Sequence, residues 1–493
     1  MTGAGLRRRR ALQALGSALA VATAGCFGST STDDGTTEPT PTERPTTGAP
    51  EPTGDPTATT TSDTPTAGTV ARSVVQSLLA GDYEAARSPF SSALAGQLSA
   101  QRLEERWKKQ RWSIGGPERI RPTTGAGAPG TTTSEATATA DGAASVVVHV
   151  QGGHGRLAAT VDVRDGAVTG LSFALEQTGS YSPPTYARPD RYREEPVTVD
   201  AGTGYPLPGT VTLPTDRDGP VPGLVLVHGS GPQDRDETVG PQRPFRDLSV
   251  GLASRGVAVL RYRKRTREYS VDDVTALTPD WTVVEDAVAG VRTLSARPAV
   301  RTDGVGLLGH SLGGYLGPKI AERSDRAAAL VLANAPGRAL WRANRYQLRQ
   351  IYAWDGSVSD EERARLDRIE RVGEQVSAEG FPAARRVFGQ YGAFWNAVTD
   401  YDQGSVAAGL SIPVTVRQGS RDIQVPPESS TAAWRTALDG VADASVERHA
   451  GLNHLLLPTD GPSFLGRYYT EPRNVAQPFV DDIADWLPRA TSP

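Results

Sequence analysis

The sequence is poor in cysteine and lysine, and the shortage of cysteine excludes one kind of cross-link. A single cysteine among 493 residues excludes a disulfide within the chain. Lysine occurs only as Lys108, Lys109, Lys264 and Lys319, so arginine supplies nearly all of the 52 basic residues. These are outnumbered by 56 acidic residues, and a net charge of −4 offers no basic surface for nucleic acid. We therefore expect no nucleic-acid partner.

Long apolar runs are scarce too. The short apolar run within residues 1–26 bears on where the protein is located. Four consecutive arginines precede a weakly apolar stretch that ends in Thr-Ala-Gly-Cys at residues 23–26. This layout predicts an export signal, and the arginines suit the twin-arginine route. The ending resembles a lipoprotein processing box, in which Cys26 would carry a lipid that anchors the chain to the outer face of the cytoplasmic membrane. An ordinary cleaved signal and a secreted protein are the alternative.

The composition divides the next part of the chain in two. Residues 27–69 are almost all Thr, Pro, Gly, Ser and acids, which predicts a disordered tether. Residues 70–178 show helical spacing followed by three strand patterns with turns at residues 152–153 and 165–166, which predicts a small α+β domain. Residues 122–142 are predicted to form a disordered loop inside it. His149 and His154 lie in this domain without a supporting cysteine or acid cluster, so we expect no metal site.

From residue 190 to residue 493 strand and helix patterns alternate, which predicts an α/β domain with a mostly parallel sheet. One apolar run leads into Gly309-His310-Ser311-Leu312-Gly313, directly before a helical pattern. This G-x-S-x-G motif, between a strand and a helix, predicts a sharp turn that exposes Ser311 as a nucleophile. Glycines flank the serine because neighbouring side chains would collide at such a turn.

A nucleophilic serine needs a base and an acid that orients the base. Of the six histidines only His449 and His454 follow Ser311; His449 falls inside the last strand pattern, whereas His454 lies just beyond it and is the predicted base. Asp422 follows the strand pattern at residues 412–419 and is the predicted acid. Its competitors Asp400 and Asp402 precede that strand.

The oxyanion formed during acyl transfer needs two backbone donors. We expect one from the N–H of Leu312 and the other from the loop His228-Gly229-Ser230-Gly231, with Ser230 ahead of Gly229. The charged residues 234–237 follow in the same loop. They either support it through arginine–carboxylate pairs or form a solvated turn.

Residues 190–493 resemble the α/β-hydrolase superfamily, in particular its serine aminopeptidase-like and bacterial carboxylesterase branch. The resemblance rests on the block at residues 228–265 as well as on the serine motif. It implies Ser311, Asp422 and His454 as a catalytic triad that hydrolyses carboxylic esters through an acyl-enzyme, without metal or organic cofactor. The helices and meander of residues 70–178 resemble the nuclear-transport-factor-like domains that precede some members.

Residues 338–400 carry helical patterns and many aromatic residues, and an insertion at this point predicts a cap over the active site. Such a cap favours small or medium acyl groups, and the substrate is therefore expected to be a small ester or a short peptide. An amidase or aminopeptidase would use the same triad, with Asp360 or Glu374 of the cap as a binder for an amino terminus. A non-catalytic surface binding protein is the third reading, which the complete triad disfavours.

Overall fold

The computed structural model describes residues 65–120, 137–138, 143–461 and 463–492. The predicted export signal, Cys26 and nearly all of the predicted tether lie outside the described residues, as does most of the loop at 122–142. Within the described ranges, no helix is both long enough and apolar enough to cross a lipid bilayer.

The first described part is a helical layer packed on an antiparallel sheet. The three long strands pair in the order β3-β4-β5, and the predicted turns lie between them. Its elements are α1 (Ala67–Ala80), α2 (Tyr83–Arg87), α3 (Ser92–Gln97), α4 (Ala100–Ser113), β1 (Pro117–Ile120), β2 (Thr137–Ala138), β3 (Ala143–Gly152), β4 (Arg156–Arg164) and β5 (Ala167–Leu175).

Helix α1 begins earlier than the sequence predicted. The Thr66 side chain accepts a hydrogen bond from the N–H of Thr69 at 3.2 Å and so caps the helix. The last three residues of the predicted tether, 67–69, are therefore helical, and the boundary at residue 70 is corrected. The helix ends at Ala80, and Gly81 adopts a left-handed conformation (φ 77°) that closes it.

A sheet of eight strands, in the order β15-β14-β11-β10-β8-β9-β7-β6, forms the centre of the larger part. The six strands from β15 to β9 run parallel, and β7 and β6 continue the sheet antiparallel. The strands of this part are β6 (Tyr192–Val199), β7 (Leu207–Pro214), β8 (Val221–Val227), β9 (Ala258–Tyr262), β10 (Val300–His310), β11 (Ala327–Ala333), β12 (Arg386–Val387), β13 (Gln390–Tyr391), β14 (Val414–Gly419) and β15 (Ala444–His449).

Helices cover both faces of this sheet, as buried parallel strands require. Alternate residues of β8 show the two layers: Val225 packs in one apolar cluster with α7, and Leu224 packs in the other with α5 and α16. The helices are α5 (Pro244–Ala253), α6 (Arg265–Glu268), α7 (Glu285–Ser295), α8 (Leu312–Tyr315), α9 (Gly317–Arg323), α10 (Trp341–Tyr352), α11 (Asp360–Val376), α12 (Gly392–Asn396), α13 (Gln403–Ala408), α14 (Pro427–Ala437), α15 (Arg467–Thr470) and α16 (Gln477–Ala490).

Elements α10, α11, β12, β13 and α12 occupy the insertion that was predicted to form a cap. The small domain packs against this cap: Trp112 of α4 belongs to the same buried cluster as Tyr352 of α10 and Phe464 of the loop before α15. An ion pair between Lys108 and Glu362 (Nζ–Oε1 3.0 Å) joins α4 to α11. The small domain is therefore in contact with the cap rather than separate from it.

Candidate active site

Ser311 lies on the predicted sharp turn, between β10 and the short helix α8. Its backbone is in a strained region for a residue with a side chain (φ 54°, ψ −115°). A Cβ added to Gly309 would lie 2.3 Å from the carbonyl oxygen of Gly313, and one added to Gly313 would lie 2.3 Å from that of Val227. Both glycines are required because any side chain at either position would collide with backbone.

His454 and Asp422 form a buried pair. The His454 Nδ1 and the Asp422 Oδ2 are 2.8 Å apart, and the two residues are 1% and 2% exposed. Since a carboxylate only accepts hydrogen bonds, Nδ1 carries the proton and Nε2 is left as the acceptor of the neutral ring. The pair therefore holds His454 in the tautomer that a general base requires.

The Asp422 carboxylate is held by three further donors. Oδ1 accepts from the N–H groups of Gln424 (2.7 Å) and Val425 (2.9 Å), and Oδ2 also accepts from the Gln418 Nε2 (3.1 Å). The loop after β14 thus fixes the position and orientation of the carboxylate.

The sheet brings the three predicted triad residues to one edge. Ser311, Asp422 and His454 follow β10, β14 and β15, whose carboxyl ends lie at the same side of the parallel sheet. The ring of His310, the neighbour of Ser311, lies 4.8 Å from the ring of His454 between centroids. The loop that carries His454 therefore lies against the turn that carries Ser311.

The competing residues are engaged elsewhere. Asp402 caps helix α13 by accepting from the N–H groups of Gly404 (2.9 Å) and Ser405 (3.1 Å). His449 ends β15 and pairs with Asp482 of α16 (Nε2–Oδ2 3.3 Å). Neither is paired with the residues of the predicted triad.

The predicted oxyanion loop after β8 lies beside Ser311. A Cβ added to Gly229 would be 3.2 Å from the Cβ of Ser311. The N–H of Gly229, however, donates to the Glu237 Oε1 at 2.7 Å. Gly229 was the second candidate for the loop's oxyanion donor. That prediction is wrong, because the N–H of Gly229 is already hydrogen-bonded to Glu237. Ser230 stays the predicted donor, together with Leu312.

The charged residues 234–237 support this loop, and two of their partners lie outside it. Asp236 pairs with the buried Arg261 of β9. Glu237 is 2% exposed, and its Oε2 lies 3.0 Å from the His310 Nδ1. Of the two readings of this segment, the supporting role is correct: Arg235 lies 3.9 Å from Asp236, and Arg261 and His310 add partners from outside the segment.

His310 was not singled out by the sequence, yet it joins three parts of the site. Its Nε2 lies 2.8 Å from the carbonyl oxygen of His454, and its Nδ1 faces Glu237. The carbonyl oxygen at Nε2 and the carboxylate 3.0 Å from Nδ1 both favour the protonated ring. Burial alone would lower the pKa of His310, but the Glu237 carboxylate outweighs burial and raises it. The same pairing lowers the pKa of Glu237 against the effect of its burial.

Asn334 is a second residue that the sequence did not indicate. It follows β11 in a left-handed conformation (φ 47°) and is fully buried. Its Nδ2 donates to the carbonyl oxygens of Asn453 (3.1 Å) and His454 (2.8 Å), and its Oδ1 accepts from the N–H of Gly419 (2.7 Å). Asn334 therefore ties the loop of the predicted acid to the loop of the predicted base.

The cap contacts the loop of the predicted acid directly. The Tyr346 hydroxyl donates to the carbonyl oxygen of Asp422 (3.2 Å), and the Gln347 Nε2 donates to that of Gln424 (3.0 Å). Of the cap aromatics, Phe394 and Trp395 are buried in the main core and Trp354 is exposed. Helix α10 is thus seated next to Asp422.

The histidines of the small domain have partners of their own. His149 pairs with Glu176, and the His154 ring stacks on Phe464 with 4.9 Å between centroids. In the described part of the chain, no three His, Cys, Asp or Glu side chains are grouped so that they could hold a metal ion.

The mostly parallel sheet with a serine on the strained turn after a central strand defines an α/β-hydrolase. No family model matches the sequence. The chain is 35% identical over 334 residues to esterase EstD of Thermotoga maritima, covering 68% of this chain and 77% of the relative. The chain therefore belongs to the α/β-hydrolase superfamily, in the same family as that esterase.

Solved structures that resemble the chain are more distant. Brefeldin A esterase, a bacterial homologue of human hormone-sensitive lipase, is 20% identical with a TM-score of 0.39, covering 64% of this chain and 81% of that one. A putative dipeptidyl aminopeptidase IV from Bacteroides ovatus is 15% identical with a TM-score of 0.39, covering 70% and 42%.

Proposed function

We propose that the protein is a serine hydrolase that cleaves carboxylic esters of small to medium acyl groups through an acyl-enzyme. The observation that carries this proposal is the buried His454–Asp422 pair beside the strained turn of Ser311. The name of the esterase relative supports ester hydrolysis.

Each residue then has one role. Ser311 Oγ attacks the ester carbonyl while His454 Nε2 takes its proton, and Asp422 stabilises the imidazolium that forms. The carbonyl oxygen gains the negative charge, which the N–H groups of Leu312 and Ser230 stabilise. His454 gives its proton to the departing alcohol, and water then repeats the sequence on the acyl-enzyme to release the acid.

The cap supports the small or medium acyl group. Helix α10 is hydrogen-bonded to the backbone carbonyls of Asp422 and Gln424, so bulky polymers would meet the cap first. The aminopeptidase alternative gains nothing from its two candidate acids. Asp360 and Glu374 are exposed on α11, and Asp360 pairs with Arg363.

The test is hydrolysis of p-nitrophenyl esters, from acetate to palmitate, by the full-length chain, beside amino-acid p-nitroanilides. We expect ester turnover with an optimum at short or medium chains and its loss in Ser311→Ala, whose fold is checked by circular dichroism. Ester turnover that persists in Ser311→Ala would contradict the proposal. Anilide turnover without ester turnover would establish the peptidase instead.

We also propose that the chain is exported and anchored through a lipid on Cys26. The leader sequence alone supports this, and the expected outcome is that Cys26→Ser moves the protein from the membrane fraction to the soluble exported fraction. Equal membrane association of both forms would contradict the anchor.

A further inference from the structure

Two buried, oppositely charged side chains hold the oxyanion loop at Gly229. The Glu237 carboxylate accepts from the N–H of Gly229 at 2.7 Å, and the Lys264 Nζ donates to its carbonyl oxygen at 2.6 Å. Lys264 is 4% exposed and Glu237 is 2% exposed. The two peptide units that flank Gly229 are therefore each fixed by a charge-assisted hydrogen bond.

The bond from Lys264 acts on the peptide unit that carries the predicted oxyanion donor. The carbonyl of Gly229 and the N–H of Ser230 belong to one planar trans peptide, in which they point in opposite directions. With the carbonyl turned to the buried Lys264, the N–H of Ser230 is turned away from it. Among the described residues, none accepts a hydrogen bond from this N–H.

The next peptide unit is held as well. The carbonyl oxygen of Ser230 accepts from the Gln233 Nε2 at 3.0 Å, and the carbonyl oxygen of Gln233 accepts from the N–H of Lys264 at 3.2 Å. Lys264 therefore contacts the loop through both its side chain and its backbone. The segment directly after β9, which carries Lys264, therefore sets the orientation of the Ser230 peptide.

Lys264 has a charge that its surroundings do not neutralise by direct contact. Among the described residues, no carboxylate forms an ion pair with its Nζ, in contrast to the buried Arg261 and Arg265. Burial lowers the pKa of Lys264 to about 8, although Glu237 and Asp286 act in the opposite direction. The ammonium is thus mostly charged at neutral pH, in a place where an unpaired charge is costly.

The choice of residue is unusual for this chain. Arginine provides almost every other cation, and Lys264 is the buried one of the four lysines. An ammonium is a compact donor that fits against a single carbonyl, whereas a guanidinium is a broad fork. A cation on the carbonyl oxygen also polarises the peptide and makes its N–H a stronger donor.

We propose that Lys264 is a positioning residue for ester hydrolysis, which orients and polarises the Gly229–Ser230 peptide so that the Ser230 N–H stabilises the oxyanion. This rests on the proposed function. The contribution is made as negative charge develops on the substrate oxygen, so it affects the transition state more than substrate binding.

The test compares Lys264→Met, which removes the donor and the charge, with Lys264→Gln, which keeps an amide donor without charge. Lys319→Met is the matched control, since Lys319 pairs with Asp280 (Nζ–Oδ1 3.4 Å) away from the loop. For each variant we would measure kcat and KM with p-nitrophenyl butyrate. We would also measure the inhibition constant of a trifluoromethyl ketone, which forms a tetrahedral alkoxide with the serine.

We expect Lys264→Met to lower kcat by about 100-fold, as loss of an oxyanion donor does, with KM changed by less than about threefold. The ketone should lose affinity in parallel with kcat. Lys264→Gln should fall between Lys264→Met and the wild type, and Lys319→Met should match the wild type.

A folded Lys264→Met that keeps kcat and ketone affinity near wild-type values would overturn the proposal. So would equal losses in kcat, ketone affinity and the affinity for the product acid, which a purely structural role predicts. If Lys264→Met does not fold, the same comparison is decided on Lys264→Gln. Absence of Ser311-dependent turnover in the wild type would instead refute the proposed function.

Discussion

Replacing Asp422 with asparagine tests the predicted triad, because the structure dictates how an amide would sit. An amide has one acceptor and one donor end. If the NH₂ took the place of Oδ1, it would face the N–H groups of Gln424 and Val425, which are donors. The NH₂ therefore takes the place of Oδ2 and faces His454.

In that arrangement the base is in the wrong tautomer. The NH₂ requires an acceptor, so His454 would leave Nδ1 unprotonated and carry its proton on Nε2, where it cannot accept from Ser311. The Gln418 side chain can adapt, since its Oε1 has no hydrogen-bond partner in the described residues and can turn to the new NH₂. The fold should survive while the base is disabled.

The expected loss in kcat is about 10⁴-fold, the effect of a wrong tautomer in a triad, which corresponds to about 5.5 kcal/mol in the barrier. The assay is p-nitrophenyl butyrate hydrolysis at saturating substrate, with thermal unfolding to confirm the fold. Asp402→Asn is the matched control and should keep full activity, because asparagine caps a helix as well as aspartate does. Near-wild-type activity in a folded Asp422→Asn would refute the assignment of the acid.

Two further changes test the surroundings of the site. Asn334→Ala removes three buried hydrogen bonds and should lower the free energy of unfolding in urea by about 3 kcal/mol and reduce kcat. The control Asn396→Ala loses two hydrogen bonds within the cap and should reduce stability with little effect on kcat. Equal effects of the two substitutions on kcat would contradict the role given to Asn334. Burial raises the pKa of Asp482, but the His449 hydrogen bond and the Arg417 charge outweigh it and lower the pKa to about 2. The ionised carboxylate therefore stabilises the fold above its unfolded pKa, and this contribution, about 1 kcal/mol after screening, is lost as the pH falls from about 4 to about 2. In unfolding experiments the gap between wild type and Asp482→Asn should close over that range, and a gap independent of pH would count against the pairing.

The sequence predicted the sheet and the turn of Ser311 because both signals are local. Buried strands appear as apolar runs. Glycine is needed around Ser311 because a side chain would collide with backbone, at Gly309 with backbone a few residues away. Asp422 and His454 could be placed from their position just after strand patterns. These parts of the site depend on neighbours along the chain.

The individual partners of the supporting groups could not be predicted, because no motif links the residues that meet. Lys264 and Glu237 act on Gly229 from 35 and 8 residues away, and Asn334 bonds to backbone 120 residues further on. Gly229 was predicted as a possible oxyanion donor because the motif does not show that its N–H is hydrogen-bonded to Glu237. The start of α1 was missed for another reason, since Thr66 caps the helix inside a threonine-rich segment where one more threonine carries no signal.

The hydrogen bond between His310 and the carbonyl oxygen of His454 joins residues 144 positions apart, which bears on when the site can form during synthesis of the chain. A ribosome completes the serine turn long before it makes His454, so a growing chain would hold the predicted nucleophile without its predicted base. On the proposed function, activity requires that β15 and the loop after it have joined the sheet. We therefore expect a chain cut before that loop to keep Ser311 and most of its length but to lack hydrolase activity.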